Sequence, residues 1–211
     1  MIPHINICGY PGAGKSTIAR LLASRYRTVW IPRVTTRPPR RGEKNGHEYL
    51  FVTNEEFLRM SESGELLYWP EASGVKKIGR LEYLRGTLAP KSWPRPGRDT
   101  ELILSVFGAR VAPRIKKELS PGMLNVFLGG REVAGLAVEI LLLMEKEVLV
   151  KRLLRRHDED TGEDHLRVIH QYFETKIWNQ FEYKIDSIWQ TPEECARQIA
   201  SFAELDLRKV A

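Results

Sequence analysis

Two scarcities narrow the field first. The chain of 211 residues holds only two cysteines, Cys8 and Cys195, too few for a disulfide framework, so a small disulfide-stapled fold is excluded. No apolar run is longer than 140–144, far short of the ~20 residues that a membrane-spanning helix needs. The opening Met1-Ile2-Pro3-His4 has neither the charged segment nor the long apolar segment of a signal peptide. A cytoplasmic protein with two reduced thiols is therefore expected, Cys8 lying in a buried strand. Hydrophobic residues make up 42% and charged residues 28%, which rules out collagen-like and wholly disordered chains. There is no internal repeat. The length suits one domain with room for an inserted subdomain.

Positive charge is in excess: 33 Lys+Arg against 27 Asp+Glu, a net +6. The basic residues fall in three separate clusters, 33–44, 76–98 and 151–167. Clusters able to converge in space fit a phosphate-lined pocket better than a stripe along a nucleic-acid duplex. Small polyphosphate ligands are thus the expected partners, with neither a membrane nor nucleic acid among them.

Strand and helix patterns alternate along the chain, as in a parallel α/β sheet. Apolar strands are expected at 5–8, 29–31, 49–52, 66–69, 101–107, 124–128, 138–143 and 185–188. Helices are expected at 17–26, at 55–62 with Asn54 as cap and Gly64 as stop, at 112–119, at 147–156, at 165–178, and from Pro192 to about residue 205. The stretch 74–99, rich in Pro, Gly and Lys/Arg, reads as an inserted loop or hairpin.

Immediately after the first strand comes Gly9-Tyr10-Pro11-Gly12-Ala13-Gly14-Lys15-Ser16, followed by Thr17 at the start of a helix. Strand, glycine loop and helix in this order form a phosphate-binding P-loop. The glycines allow Gly9, Gly12, Ala13, Gly14 and their neighbours to aim backbone N–H groups at phosphate oxygens, and the helix N-terminus adds partial positive charge. Lys15 is expected on the β- and γ-phosphates, and the Ser16 hydroxyl on Mg²⁺ carried with ATP.

A second segment, Thr35-Thr36-Arg37-Pro38-Pro39-Arg40-Arg41-Gly42-Glu43-Lys44-Asn45-Gly46-His47-Glu48-Tyr49, closely resembles the acceptor-binding segment of guanylate kinases. The resemblance implies that Arg37, Arg40 and Tyr49 hold the phosphate of the acceptor nucleotide and that Glu43 orients the arginines. Guanidinium forks suit phosphate bidentately in any case. Further along, Phe107-Gly108-Ala109 sits where the family has Tyr-Gly-Ser. Arg152 and Arg156 match the family's lid arginines, with Arg167 as a third whose alignment is open by one or two residues.

Other positions depart from the family. Guanine is read there by a hydroxyl and by carboxylates, and the matching places here hold Arg33, Tyr68, Phe107 and Ala109, with Leu128 and Gly130 in place of two aspartates. Tyr68 and Phe107 remain as rings able to stack on a base. The lost aspartates leave Mg²⁺ to Ser16, unless Glu132 or Glu101 substitutes.

The expected protein is therefore an α/β chain with a parallel-sheet P-loop kinase core. It is one domain over 1–211, with an acceptor-binding insertion at 33–108 and a short lid at 155–167. Its expected activity is ATP-dependent phosphoryl transfer to a nucleoside monophosphate or related phosphorylated small molecule other than GMP. Lys15, Arg152 and Arg156 are the expected catalytic residues. The alternatives are a guanylate kinase proper and a catalytically weak binding module built on the same scaffold.

Overall fold

A computed structural model describes residues 2–9, 12–67, 74–78, 81–129, 175–187 and 189–206. The central sheet runs in the order β2-β7-β1-β8-β9, from strands Thr28–Ile31 (β2), Leu102–Ser105 (β7), His4–Gly9 (β1), Met123–Gly129 (β8) and Tyr183–Asp186 (β9). Every pairing in it is parallel, so all five strands end on the edge where β1 gives way to the glycine loop. Ile5, Ile7, Leu102, Leu104, Val126 and Leu128 are buried to 2% exposure or less. Near-continuous apolar strands are what a sheet covered on both faces requires, and each such side chain contributes about 1.5–3 kcal/mol of burial.

Helix α1 (Lys15–Arg25) follows the glycine loop and packs beside the last helix, α4 (Pro192–Phe202). Pro192 occupies the first turn of α4, and Thr191 and Glu194 form a reciprocal capping box. Cys195, Ala196, Ile199 and Ala200 supply its buried stripe. Helix α3 (Ala112–Glu118) covers part of the sheet next to β8.

A polar row crosses the core. Asn6 lies opposite both Ser105 and Asn125 in the sheet register, and its side chain accepts from Ser105 Oγ and the Phe107 N–H while donating to Asn125. His4 contacts Ser105 and Ser120. Burial lowers the His4 pKa to about 4, so the ring is neutral at physiological pH.

A second sheet, ordered β4-β3-β6-β5, is built from Arg33–Thr35 (β3), Tyr49–Phe51 (β4), Gly74–Ile78 (β5) and Leu81–Thr87 (β6). One face packs on helix α2 (Asn54–Glu62): Val34, Phe57, Met60, Leu66 and Leu88 form a small core, with Leu50 against it. Strand alternation turns Arg33, Thr35, Tyr49 and Phe51 to the other face.

The structure corrects several expectations. The stretch 74–99 does contain a hairpin, β5–β6, and β6 further pairs with β3 over Arg33–Thr87, Val34–Gly86 and Thr35–Arg85, completing the second sheet. A two-residue register pattern hidden by glycines and lysines carried too little apolar signal to show this. Strand β7 falls within 33–108 yet belongs to the central sheet. The cap of α2 is Thr53, which forms a capping box with Glu56, and Asn54 is its first helical residue. Of the strand expected at 66–69, residues 66 and 67 are described, and Leu66 makes an isolated bridge to Leu88. The last strand ends at Asp186, and at the end of the helix expected over 165–178, Lys176 has positive φ and Ile177–Gln180 form a 3₁₀ turn, residues 165–174 lying outside the described residues. The strand at 138–143, the helix at 147–156 and the lid at 155–167 lie outside the described residues. Among the described residues no helix is long and apolar enough to cross a membrane.

Candidate active site

The first half of the site is made of backbone. Gly9, Gly12 and Gly14 have φ values of 141°, 83° and 88°, open to glycine and strained for other residues. At Gly9 the reason is also steric, because a Cβ would overlap the Leu128 carbonyl on the neighbouring strand. Gly14 caps α1 and accepts from Ile18 N–H at 3.0 Å. The N-terminus of α1 therefore opens at Lys15, Ser16 and Thr17, half-buried to exposed. Lys15 Nζ donates to the Gly9 carbonyl at 3.3 Å, lying back across the loop. Ser187, just past β9, donates to the Ala13 carbonyl at 2.8 Å and ties the loop to the far side of the sheet.

Beside this loop is a cavity of about 270 Å³ lined by Gly12, Ala13, Thr17, Ser187 and Gln190 among others. Its floor includes Cys195, and Gln190 is oriented by Gln198, whose amide donates to Gln190 Oε1 at 2.6 Å. Ser187 and Gln190 were not foreseen, since they are brought here only by the order of the central sheet. Cys8 is unsuited to chemistry: burial raises its thiol pKa far above the ordinary value despite the nearby Lys15 charge.

The residues present fit a magnesium ion carried in by a nucleotide. Mg²⁺ takes few protein ligands and keeps waters and phosphate oxygens, and Ser16 at the start of α1 supplies a hydroxyl. Among the described residues no group of three His, Cys, Asp or Glu is placed to hold an ion unaided. Glu101 is corrected as a candidate ligand. It precedes β7, at the opposite edge of the sheet from the glycine loop, and accepts from the Arg27 N–H at 2.9 Å. Glu132 lies outside the described residues.

The second half is made of side chains. Arg37 engages Glu43 with both terminal nitrogens, at 2.8 and 2.9 Å, and Glu43 also accepts from the Arg40 N–H at 2.7 Å. The Arg37 guanidinium lies 5.0 Å from the Tyr49 ring centroid and 5.3 Å from that of Phe51. Burial opposes both charges, but each outweighs it for the other: the Arg37 pKa is raised, and the Glu43 pKa is lowered by Arg37 and the Arg40 N–H. Arg37, Arg40, Glu43 and Tyr49 thus form one cluster on or beside the free face of the second sheet.

Two contacts fasten this segment to the core. Glu48, 3% exposed, pairs with Arg20 Nε at 2.9 Å, and His47 stacks on Trp30 at 5.2 Å with the planes 7° apart. Arg20 is one helical turn beyond Ser16 on α1, so the helix that starts at the glycine loop also grips this segment. That turn spacing was a readable signal; the partner was not.

Phe107 requires correction as a ligand-stacking residue. It is 1% exposed and packs among His4 and Trp93 in the core. Ala109 and Leu128 are equally buried. Tyr68, Gly130, Arg152, Arg156 and Arg167 lie outside the described residues.

A glycine loop between the first parallel strand and its helix, with a cationic second sheet inserted after β2, defines the P-loop kinase class. A sequence profile described as guanylate kinase matches residues 3–76. The guanylate kinase of Thermotoga maritima is 28% identical over 97% of this chain and 87% of its own length. That of Chlamydia felis is 30% identical over 82% of this chain and 74% of its own. A crystal structure of guanylate kinase from Anaplasma phagocytophilum superposes with a TM-score of 0.58 at 20% identity, covering 96% of this chain and 85% of that one. The chain belongs to the guanylate kinase family.

Proposed function

We propose that the chain transfers the γ-phosphoryl group of ATP to a nucleoside monophosphate, with GMP as the acceptor. The observation that carries this reading is the joining of two phosphate sites by one helix: α1 opens at the glycine loop and holds, through Arg20 and Glu48, the segment bearing Arg37, Arg40 and Tyr49.

The expectation that GMP is excluded loses much of its footing. It counted Phe107, Ala109 and Leu128 as altered base-reading positions, and all three are core residues at 1% exposure or less. Curated relatives similar over most of the chain are guanylate kinases. An intact glycine loop with Lys15 favours an enzyme over a binding module.

In the proposed reaction, backbone N–H groups of the loop orient the donor phosphates and Lys15 leaves the Gly9 carbonyl to meet them. Arg37, Arg40 and Tyr49 hold the acceptor phosphate for in-line attack, with Glu43 keeping the Arg37 fork aligned. Ser16 would hold the magnesium carried with ATP, which would supply charge neutralisation at the donor phosphates. The acceptor phosphate is already ionised at neutral pH, so no general base is needed; positioning and charge stabilisation suffice. Arg152 and Arg156 belong to this proposal as lid residues over the transferred group, with 155–167 as the lid and the sheet after residue 33 as the acceptor-binding unit. A coupled assay of ADP release with ATP–Mg²⁺ and GMP, dGMP, AMP, CMP or UMP tests it. GMP turnover above the pyrimidine monophosphates is the expected result; no monophosphate-dependent ADP release would overturn it.

A further inference from the structure

The chain passes between the two sheets twice. Pro32 alone links β2 to β3, whereas residues 88–101 lead from the end of β6 back to β7. This longer connector is fastened at both ends. Near its start, the Ala89 N–H donates to the Glu65 carbonyl and Lys91 Nζ to the Ser63 carbonyl, each at 2.8 Å, just past α2. Near its end, Arg27 Nε donates to the Asp99 carbonyl at 2.6 Å and the Glu101 N–H to the Arg27 carbonyl at 2.8 Å, just before β2. Between them stands Trp93. Its indole N–H donates to the Leu88 carbonyl at 2.9 Å, while its ring meets His4 edge-on at 5.6 Å and Phe107 at 6.2 Å. It is half-buried and packs against both hydrophobic cores, that of the central sheet and the small one beneath the second.

We infer that Trp93 is a positioning residue for phosphoryl transfer, fixing the acceptor half of the site against the donor half. This rests on the reading of the two halves given above. Each half lies within one unit of the fold. The glycine loop, Lys15 and Ser16 belong to the central sheet and α1, while Arg37, Arg40, Glu43 and Tyr49 lie within the segment from β3 to β4. Leu88, His4 and Phe107, which hold Trp93, belong to neither set, so each half can bind its own phosphate without the indole. What the indole sets is their mutual placement. Donor and acceptor phosphates must stand close and in line, and a displacement of about 1 Å can cost about 10²-fold in rate.

The bond and the ring divide this task. The directional bond to Leu88 ties the indole to the second sheet, and the aromatic contacts seat it on the central core. Beyond Trp93, Pro94 and Pro96 have no backbone donor and 94–98 is exposed, so Trp93 is where the connector meets both cores. The Arg20–Glu48 pair acts differently. It lies inside the segments that carry the ligands, next to Tyr49 and one turn from Ser16, so its loss reaches binding as well as placement.

Steady-state turnover of the full chain with ATP–Mg²⁺ and GMP, beside equilibrium titration of each nucleotide, tests this in Trp93→Leu and Trp93→Phe. Leucine keeps apolar volume without ring or N–H, and phenylalanine keeps a ring without the N–H. The kcat of Trp93→Phe should fall about 2- to 5-fold and that of Trp93→Leu about 10- to 100-fold, with both dissociation constants within about threefold of wild type. Circular dichroism melts of both variants identify folded protein. A residue that only supports folding would lower the melting temperature and leave the kcat of the folded protein unchanged, which would overturn the inference. So would dissociation constants that rise in step with the loss of kcat, or a Trp93→Phe variant as impaired as Trp93→Leu. If Trp93→Leu does not fold, Trp93→Phe decides alone: full kcat or weakened binding overturns the inference. Absence of turnover in the wild type would overturn the kinase reading and this inference with it, whereas wild-type turnover with unchanged kcat in both variants would overturn the role of Trp93 alone.

Discussion

The two proposed phosphate sites are built from different materials. Around Gly9–Ser16 the work is done by backbone: three positive-φ glycines, a helix N-terminus and one lysine lying on a carbonyl. Around Arg37–Tyr49 it is done by side chains held by other side chains, in the pairs Arg37–Glu43 and Arg20–Glu48. A backbone site cannot be retuned residue by residue, since replacing Gly9 sets a Cβ into the Leu128 carbonyl. A side-chain site can change its ligand through a single position. One scaffold can thus keep its phosphoryl donor while its acceptor varies.

The sharpest test of that contrast removes the one side chain on which the backbone site depends. Lys15→Met should lower kcat by about 10³-fold, the scale seen when a single preorganised donor to developing charge is lost. Its melting temperature should stay near wild type, because Lys15 is half-buried and packs no core. A folded Lys15→Met protein with full activity would remove the loop from catalysis. Next in size, Arg37→Gln should reduce kcat/KM for the acceptor about 10²-fold by removing a bidentate phosphate contact, while the dissociation constant for ATP stays unchanged. If ATP binding weakens equally, the two sites are not separable in this way.

The link between the sites should give a smaller and mixed effect. Arg20→Gln leaves the Glu48 carboxylate buried without its partner, and unpaired buried charge is destabilising. Arg20 itself is 42% exposed at its side chain, so solvent reaches the pair and softens the loss to about 1–2 kcal/mol. Denaturant melts measure the stability, and the KM for both substrates should rise together, unlike the single-substrate change in Arg37→Gln.

The readability of the chain follows the same division. The glycine loop could be read because its residues are contiguous and its flanking strand and helix are strongly apolar. The central sheet followed from short apolar runs at 5–8, 101–107 and 124–128. The second sheet could not be read in full, because β5 (GVKKI) and β6 (LEYLRGT) mix glycine and charged residues with few apolar ones and are recognisable only once β3 is beside them. Arg37, Glu43 and Tyr49 lie within 13 residues and were found together. Arg20, Ser187 and Gln190 reach the site from distant elements, with nothing local to mark them. Phe107 was misread for the complementary reason: an aromatic at a strand end looks the same in sequence whether it faces a ligand or Trp93.

The smallest expected effect comes from Glu43→Gln, which preserves shape and removes charge. Arg37 keeps a neutral acceptor in place of a charged one, so KM for the acceptor should rise about 3- to 10-fold, with ATP binding unaltered. The substitution also has a pH signature. Burial favours the protonated Glu43, but Arg37 and the Arg40 N–H outweigh it and hold the folded-state pKa below the ordinary 4.5. The native protein therefore prefers the carboxylate more strongly than the unfolded chain does. The resulting stabilisation is fully present above about pH 4.5 and disappears as the pH falls through the lower folded value. Wild type should accordingly melt above Glu43→Gln at neutral pH, and the gap should close progressively below pH 4.5. A gap that stays constant down to pH 3 would mean that the Arg37–Glu43 pair contributes through packing alone.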